Sequence, residues 1–288
     1  MNNTDKHAYC IMAHDNWEQL QMLIGVLDDE RNDIFLHIDV KSLDKYRRCE
    51  VKVTRSKLYY AKSVDVRWSD VSLADAEVNL FNKVLSTGVR YQRIHLISGA
   101  DLPLVSQEMM HRFFNNRNDE FIDVRQPSQF IKRLKYYHFF VKYRRNKLLI
   151  DFLRRLLLIP QLPFINRLRH SPLPYAYGSE WCSLTYKGIE AIAGTYADYR
   201  HMFKYTTCCD EHYKQMILMA KGFVFAKEGC MRYVLFTSDN PSPKVLTMDD
   251  LDTMQASGCL FARKFDIHID ENVVDKVIFS IKDNHITA

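Results

Sequence analysis

Four polar residues in the N-terminal third stand at the ends of strand-like apolar runs, and their types suit nucleotide or sugar binding. His14 follows the first run, Asp39 the second, and Ser98 and Asp101 a later one. If these runs are parallel strands, their carboxyl ends meet at one edge, where ligands of open α/β sheets bind. Aspartate and serine also cap the turns after strands, so a purely structural interpretation remains open.

Two acidic residues in the string CCDEH, Asp210 and Glu211, stand where a helix is predicted to begin. Burial raises the pKa of a carboxylate toward neutrality, and a carboxylate held at the start of a helix can then act as a general base. The alternative is that both acids only complement the helix dipole, as acids in a first turn do.

A phosphate bound by this chain would have to be held by side chains, because glycine is scarce. The chain has nine glycines in 288 residues and contains neither the dinucleotide-binding pattern nor the P-loop pattern. The triplet Asp250-Leu251-Asp252 has the spacing of a metal-binding motif, but it falls at a predicted helix start. Acidic residues in that position are typical of capping.

The segments that would position these residues alternate between strand and helix patterns. Helical spacing separates the apolar runs, with Ser106 as a predicted N-cap and Asp75 at a predicted capping-box position. This alternation predicts an α/β fold with a mostly parallel central sheet and helices on both faces. The strands are predicted at 7–13, 34–38, 51–53, 93–98 and 120–124.

We expect one domain over residues 1–288, because no linker, repeat or low-complexity segment interrupts the chain. Its nucleotide-binding half would span 1–125, and its acceptor and catalytic half would span 176–288. Between them, residues 126–175 are predicted to form an inserted basic helical lobe.

The basic character of the chain is concentrated in residues 131–170, which hold eleven Lys/Arg and one acid, a net charge of +10 in a chain of net +5. Within them, KLLIDFLRRLLLI predicts a basic, leucine-rich amphipathic helix, which favours peripheral contact with an anionic membrane. The alternative is a helix packed into the core with its arginines in water. Basic and aromatic residues also interleave here, but no RNA-binding signature accompanies them, so no nucleic-acid partner is predicted.

The overall composition predicts a globular protein with a large core, since 47% of residues are hydrophobic and 26% are charged. No apolar run is long enough to cross a bilayer, and residues 1–6 lack the apolar region of a signal peptide. The seven cysteines are an odd set without C-x-x-C spacing and are predicted to be reduced thiols. We therefore expect a cytoplasmic protein, with possible peripheral association at the inner membrane face.

Several strings together resemble the core-2/I-branching β-1,6-N-acetylglucosaminyltransferase family, which includes the peptide-O-xylosyltransferases. In family order they are HAYCIMAHDNWEQL, FLHIDVKS, VRWSDVSLADAE, HLISGADLPL, YGSEWCSLT, CCDEHYKQ and LFARKFD. The resemblance implies a GT-A fold, a UDP-sugar donor and inversion at the anomeric carbon. Inversion needs a single base, and the family's catalytic glutamate falls on Glu211.

The resemblance also implies donor binding without a metal or other cofactor, by basic side chains on the diphosphate. The family's C-terminal lysine matches Lys264, beside Arg263, and Lys244 is the candidate for a second cation. His14, Asp39 and Arg67 would bind the nucleoside, and Ser98 and Asp101 would lie near the donor sugar. The acceptor residues would be Arg133, Tyr136, Trp181, Asp210 and Phe236.

The chain departs from the family pattern at Phe236, where members often carry a tryptophan after an Arg-Tyr pair, here Arg232-Tyr233. It resembles the shorter, soluble bacterial members found in surface-polysaccharide synthesis, and this resemblance implies a polyprenyl-diphosphate-linked acceptor. GlcNAc is the default sugar, with xylose or a galactose form as alternatives. Two other functions remain open: a nucleotide-sugar hydrolase, and a non-catalytic module that binds sugar or nucleic acid.

Overall fold

The computed structural model describes residues 5–143, 148–237 and 242–283, so Arg144, Arg145 and Lys147 of the basic segment and part of the loop 238–244 lie outside it. The strands are β1 (His7–Ala13), β2 (Asn32–Ile38), β3 (Lys57–Tyr60), β4 (Arg93–Ser98), β5 (Asp101–Pro103), β6 (Cys182–Leu184), β7 (Arg232–Val234) and β8 (Phe261–Arg263). The α-helices are α1 (Trp17–Leu27), α2 (Leu43–Tyr46), α3 (Val71–Leu85), α4 (Gln107–Phe114), α5 (Lys132–Lys135), α6 (Leu148–Leu158), α7 (Tyr186–Phe203), α8 (Tyr213–Ala220), α9 (Leu251–Gln255) and α10 (Glu271–Asp283).

The central sheet has five strands in the order β3-β2-β1-β4-β6. The first four are parallel, and β6 runs antiparallel to β4, with Leu96 opposite Cys182. A smaller sheet has the order β5-β8-β7, with β8 antiparallel to β5 and parallel to β7. The four parallel strands therefore end at one edge, and β6 begins at that same edge.

The core lies on both faces of the central sheet, as the alternation along β1 requires. Tyr9 and Ile11 pack with α1, α4 and α10 on one face, while Ala8 and Cys10 pack with α3, α7 and α8 on the other. This arrangement confirms the predicted α/β fold with a mostly parallel sheet between helices.

Two predicted strands are wrong, because side chains and isolated bridges take the place of a continuous ladder. In 51–53, the Lys52 amide donates to the Gln21 side chain at 2.8 Å, and the third strand lies later, at Lys57–Tyr60. In 120–124, only isolated bridges form, and the Glu120 carboxylate accepts from the Thr185 amide at 2.8 Å, next to the start of α7.

The N-caps follow the sequence in part. Ser106 caps α4 as predicted, accepting from the Met109 amide. The cap of α3 is Asp70, and the predicted Asp75 instead accepts from the Arg200 guanidinium of α7 at 2.6 Å. Asp250 forms the capping box predicted by its position at a helix start.

The basic lobe contains α5 and α6, and no residue of α6 is buried, so the interpretation of a core-packed helix is wrong. None of the described helices has the length and apolar character needed to cross a membrane. All seven cysteines are free thiols, and five of them are buried.

Candidate active site

The segments that follow β2 and β3 hold a chain of charged side chains. Asp39 is buried and accepts from the Lys41 amide at 2.9 Å and from its ammonium at 2.7 Å. Lys41 also contacts Asp65 at 2.8 Å, and Asp65 pairs with Arg67 at 2.8 Å. Asp39 and Arg67 are thus brought to one region through Lys41 and Asp65, whereas His14 is largely exposed beside its neighbour Asp15.

The end of β4 joins the small sheet through Asp101. The Ser98 hydroxyl donates to Asp101 at 2.5 Å, and Arg263 of β8 lies 3.2 Å from the same carboxylate oxygen. Asp101 is fully buried, so Arg263 compensates its charge. The Arg263 guanidinium also lies 4.3 Å from the ring centre of Trp181, which is only 5% exposed. Trp181, predicted to be a sugar platform, is therefore a buried ring that faces Arg263.

The two lysines predicted to bind the diphosphate lie in adjacent segments, since the Leu246 amide donates to the Lys264 carbonyl at 2.8 Å. The Lys244 ammonium contacts both carboxylate oxygens of Asp250 at 2.7 Å. Lys264 is partly exposed, and it forms no ion pair within 5–143, 148–237 and 242–283. Of the two lysines, only Lys264 offers its charge to a ligand without first giving up a carboxylate.

Glu211 ends a tight turn, the 3-10 helix Cys209–Glu211 that precedes α8. The turn begins at Cys208 in a left-handed conformation, φ 52°, and the Cys208 amide donates to the Ser69 carbonyl at 2.9 Å. The Gly178 amide donates to the Glu211 carbonyl at 2.9 Å. These bonds fix the backbone, while the Glu211 side chain is 28% exposed and contacts the Arg133 guanidinium of α5.

A fully buried ion pair lies next to this turn and contacts its backbone. Lys214 of α8 contacts Glu77 of α3, which also accepts from the Tyr213 hydroxyl at 2.5 Å. The Lys214 ammonium donates to the Asp210 carbonyl at 3.1 Å, which ties the pair to the turn Cys209–Glu211. Burial opposes the charge of Lys214, but Glu77 outweighs it and raises the lysine pKa. The lysine therefore stays charged and holds the turn.

Asp210 points the opposite way from its neighbour, into the protein. Its carboxylate is buried, and one oxygen has no hydrogen-bond partner in the described structure. Burial, with the charges of Glu180 and Glu211, raises the pKa of Asp210 well above its usual range. The buried Asp210 and the partly exposed Glu211 thus differ in environment although they are adjacent in sequence.

Two aromatic rings that the sequence did not single out surround Arg133. The guanidinium lies 4.4 Å from the Phe130 ring centre and 5.7 Å from that of Tyr177, and the two rings are 4.4 Å apart. Burial and the charge of Glu211 raise the pKa of Tyr177 to about 12. The result is a polar and aromatic patch beside Glu211, which suits the edges and faces of a sugar ring.

Two predicted acceptor residues lie away from this patch. Tyr136 is buried, and its carbonyl accepts from Arg167 at 3.0 Å within the lobe. Phe236 is exposed and forms a backbone bridge with Pro243, next to Lys244. The structure therefore brings together Arg133 and Glu211 from the predicted acceptor and catalytic set.

Glu180 is a candidate functional residue that the search for polar residues after strands missed. It precedes β6, and because β6 is antiparallel, extending the pairing of Leu96 with Cys182 places Glu180 level with Ser98. Burial and the charge of Glu77 raise the pKa of Glu180 to about 8. The signal was present as an acid in YGSEWC, two residues before the start of β6 at Cys182.

The region before β6 is packed too closely for any side chain at Gly178. A Cβ at that position would lie 1.7 Å from the Asp123 carbonyl oxygen. Glycine is therefore required here by a close backbone approach. It keeps Tyr177 and Glu180 at the edge where Glu211 lies.

Comparison with known proteins gives a family match over most of the chain. The model of the family described as "Core-2/I-Branching enzyme" matches residues 7–250. A mouse protein named beta-1,3-galactosyl-O-glycosyl-glycoprotein beta-1,6-N-acetylglucosaminyltransferase 4 is 23% identical over 136 residues. That alignment covers 46% of this chain and 30% of the mouse protein, so it spans less than a third of that relative.

Two solved structures of glycosyltransferases are also similar at a low level. Mouse xyloside xylosyltransferase 1 in its apo form superposes with a TM-score of 0.38 and 10% identity, covering 88% of this chain and 97% of that one. The apo WbbM bifunctional glycosyltransferase gives a TM-score of 0.39 and 11% identity, covering 95% of this chain and 49% of that one.

Proposed function

The chain belongs to the core-2/I-branching enzyme family, and we propose that it is an inverting glycosyltransferase that moves a sugar from a UDP-sugar to a saccharide hydroxyl. The default sugar is GlcNAc, in keeping with the name of the mouse relative. The observation that carries the proposal is the fixed turn that presents Glu211 to solvent next to Arg133 and Tyr177.

Glu211 is proposed to be the general base. Inversion requires one displacement, in which a carboxylate takes the proton of the acceptor hydroxyl as its oxygen attacks the anomeric carbon. Hydrogen bonds at the Cys208 amide and the Glu211 carbonyl hold the backbone of the turn. Arg133 would orient the carboxylate and hydrogen-bond to the acceptor, with the Phe130 and Tyr177 rings beside it.

The donor diphosphate is proposed to be bound without a metal, chiefly by Lys264, because the other two predicted cations, Lys244 and Arg263, are each paired with a carboxylate. The leaving nucleoside diphosphate gains negative charge in the transition state, and a positioned cation stabilises that charge. Two carboxylates that could have held a metal are each committed to a cation, Asp101 to Arg263 and Asp250 to Lys244. These ion pairs support cationic side chains, rather than a metal, as the diphosphate ligands.

The nucleoside is proposed to lie at the ends of β1 and β2. Asp39 would accept from the uracil ring or a ribose hydroxyl, and Arg67 and His14 would line the same edge. Support comes from the charged chain that links Asp39 to Arg67 through Lys41 and Asp65.

The acceptor is proposed to be a saccharide on polyprenyl diphosphate, in bacterial surface-polysaccharide synthesis. The enzyme would then be cytoplasmic and peripheral at an anionic inner membrane face. The net charge of +10 in residues 131–170 supports this location.

The test combines a donor screen with one substitution. A donor that binds the folded state raises the melting temperature, so a panel of nucleotide sugars with and without EDTA identifies the donor. With that donor, Glu211→Gln keeps the shape of the side chain but removes the base, and turnover is expected to fall by about 10² or more. Glu190→Gln, at an exposed position on α7, is the matched control.

Three results would contradict the proposal. Glu211→Gln with a tenth or more of wild-type turnover would exclude Glu211 as the base. Donor breakdown without transfer to any saccharide would favour a hydrolase. Donor binding without any turnover by the wild type, across acceptors, would favour a non-catalytic binding module.

A further inference from the structure

Helix α6 and the segment after it present an apolar surface to solvent. None of the residues of α6 is buried, although eight of its eleven residues are Leu, Ile or Phe. In residues 148–164, six apolar side chains are each more than half exposed: Leu148, Leu149, Phe152, Leu156, Ile159 and Phe164. A cluster of exposed apolar side chains of this kind marks an interaction site.

The polarity of α6 is reversed relative to an ordinary surface helix, which turns its apolar stripe to the core. Asp151 and Arg154 form an ion pair at 3.0 Å, and the Arg154 side chain is only 12% exposed. Leu148, by contrast, is 93% exposed. The helix therefore turns Arg154 toward the lobe and apolar side chains such as Leu148 outward, so the outer face requires an apolar partner.

The partner must also tolerate or attract positive charge. Exposed bases lie close in sequence to the apolar face, at Lys142, Arg155 and Arg169, within a segment of net +10. A second copy of the chain would meet this face with the same patch, because a two-fold interface pairs identical surfaces. That pairing would bring two strongly basic segments together, which argues against self-association.

We propose that residues 148–164 are a membrane-docking surface that inserts its apolar side chains into the interfacial region of an anionic bilayer. The exposed bases then contact the lipid phosphates, and the apolar side chains enter the boundary between headgroups and acyl chains. One partner, an anionic bilayer, thus accounts for both the exposed apolar side chains and the exposed bases.

The docking surface is coupled to the catalytic region by hydrogen bonds. The Gln161 side chain accepts from the Tyr137 amide at 2.8 Å and donates to the Tyr137 carbonyl at 3.0 Å. Tyr137 closely follows α5, whose Arg133 contacts Glu211. A bilayer bound at 148–164 would therefore lie on the lobe that forms one side of the proposed acceptor site. This consequence for the acceptor rests on the proposed function, whereas docking itself does not.

Vesicle flotation tests the surface directly. The full chain is expected to float with phosphatidylglycerol-containing vesicles at low salt, less at high salt, and poorly with pure phosphatidylcholine vesicles. Phe152→Glu with Leu156→Glu should lower the affinity at least tenfold, because it places charge on the apolar face without disturbing a buried site. The matched control is Phe279→Glu on α10, since Phe279 is 59% exposed and Phe152 is 62% exposed.

Three outcomes would overturn the proposal: no flotation with anionic vesicles, equal losses for the control and the double variant, or a lipid-free dimer that the double variant dissociates. The last would assign the surface to a second copy. An assay of sugar transfer to a soluble acceptor separates the docking proposal from the proposed function. The double variant should dock poorly and yet retain this transfer activity. Docking without any transfer would contradict the proposed function and leave the docking surface intact.

Discussion

The Arg133 guanidinium contacts the Glu211 carboxylate across 78 residues of sequence and joins the basic lobe to the turn Cys209–Glu211. Neither residue is deeply buried, so the pair remains accessible to a ligand. An acceptor hydroxyl that reaches Glu211 must therefore share the carboxylate with Arg133. The lobe thus contributes directly to the proposed acceptor site.

Replacing Lys264 with alanine is expected to weaken nucleoside-diphosphate binding by about 1.5–3 kcal/mol, the scale of a hydrogen bond to a charged group. Lys244→Ala should cost less, because Asp250 already neutralises that lysine. Isothermal titration with UDP measures both, and Lys187→Ala, at an exposed position of α7, is the control. Wild-type activity that is lost in EDTA and restored by Mn²⁺ would refute metal-free binding.

Glu180 should give the activity a break near pH 8, because burial raises its pKa to about that value. Above that pH the ionised carboxylate would add negative charge near Glu211 and oppose an anionic donor, so kcat/KM should fall. Glu180→Gln mimics the protonated form and should keep the neutral-pH rate while the break disappears. A variant profile identical to that of the wild type from pH 6 to 9 would exclude this role.

The buried pair of Glu77 and Lys214 should be sensitive to loss of one partner. Lys214→Met leaves an uncompensated buried carboxylate and should lower the free energy of unfolding by about 3–5 kcal/mol. The double variant Glu77→Leu/Lys214→Met removes both charges and should recover much of that loss. Urea unfolding measures each variant, and a single variant as stable as the wild type would show that the pair contributes little.

The stability of the protein should fall in mild acid partly through His37. Burial lowers the pKa of His37 to about 4, and its Nε2 atom accepts from the Val64 amide at 3.0 Å. The unfolded histidine has a pKa of about 6.5, so its contribution is complete above that pH and is lost as the pH falls toward 4. The loss amounts to about 1.4 kcal/mol per pH unit.

His37→Gln preserves an acceptor near the position of Nε2 but does not titrate. The difference in unfolding free energy between the wild type and this variant should change by about that slope between pH 6.5 and 4. Urea unfolding at pH 7, 6 and 5 measures it. Parallel pH profiles for the two proteins would contradict the assignment.

Local sequence patterns predicted those helices and strands whose bounds depend on residues within the element itself. The bounds of β1 and β4 follow from their apolar runs, and Asn16 caps α1 because its side chain accepts from the Gln19 amide. The strand predicted at 51–53 does not form, because the Lys52 amide donates to the Gln21 side chain on α1. Hydrophobic periodicity in the sequence does not reveal such a contact.

The site was predictable only in part, for a related reason. Glu211 and Lys264 were singled out from strings that resemble a family, and their roles stay predictions, whereas the placement of Glu180 depends on the direction of a three-residue strand. Sequence periodicity shows that such a strand is apolar but not whether it runs parallel or antiparallel. Tyr136 and Trp181 have ring types suited to sugars, yet tertiary packing buries both of them.

The buried thiols of Cys208 and Cys209 provide a natural reporter of local opening at the turn Cys209–Glu211. Cys208 and Cys209 immediately precede Asp210, and burial raises the pKa of both thiols, so they are inert while the turn is closed. Cys49 is exposed and reacts at once. Any later modification at 208 or 209 therefore proceeds through local opening, and its rate gives the opening free energy of the turn without an engineered label.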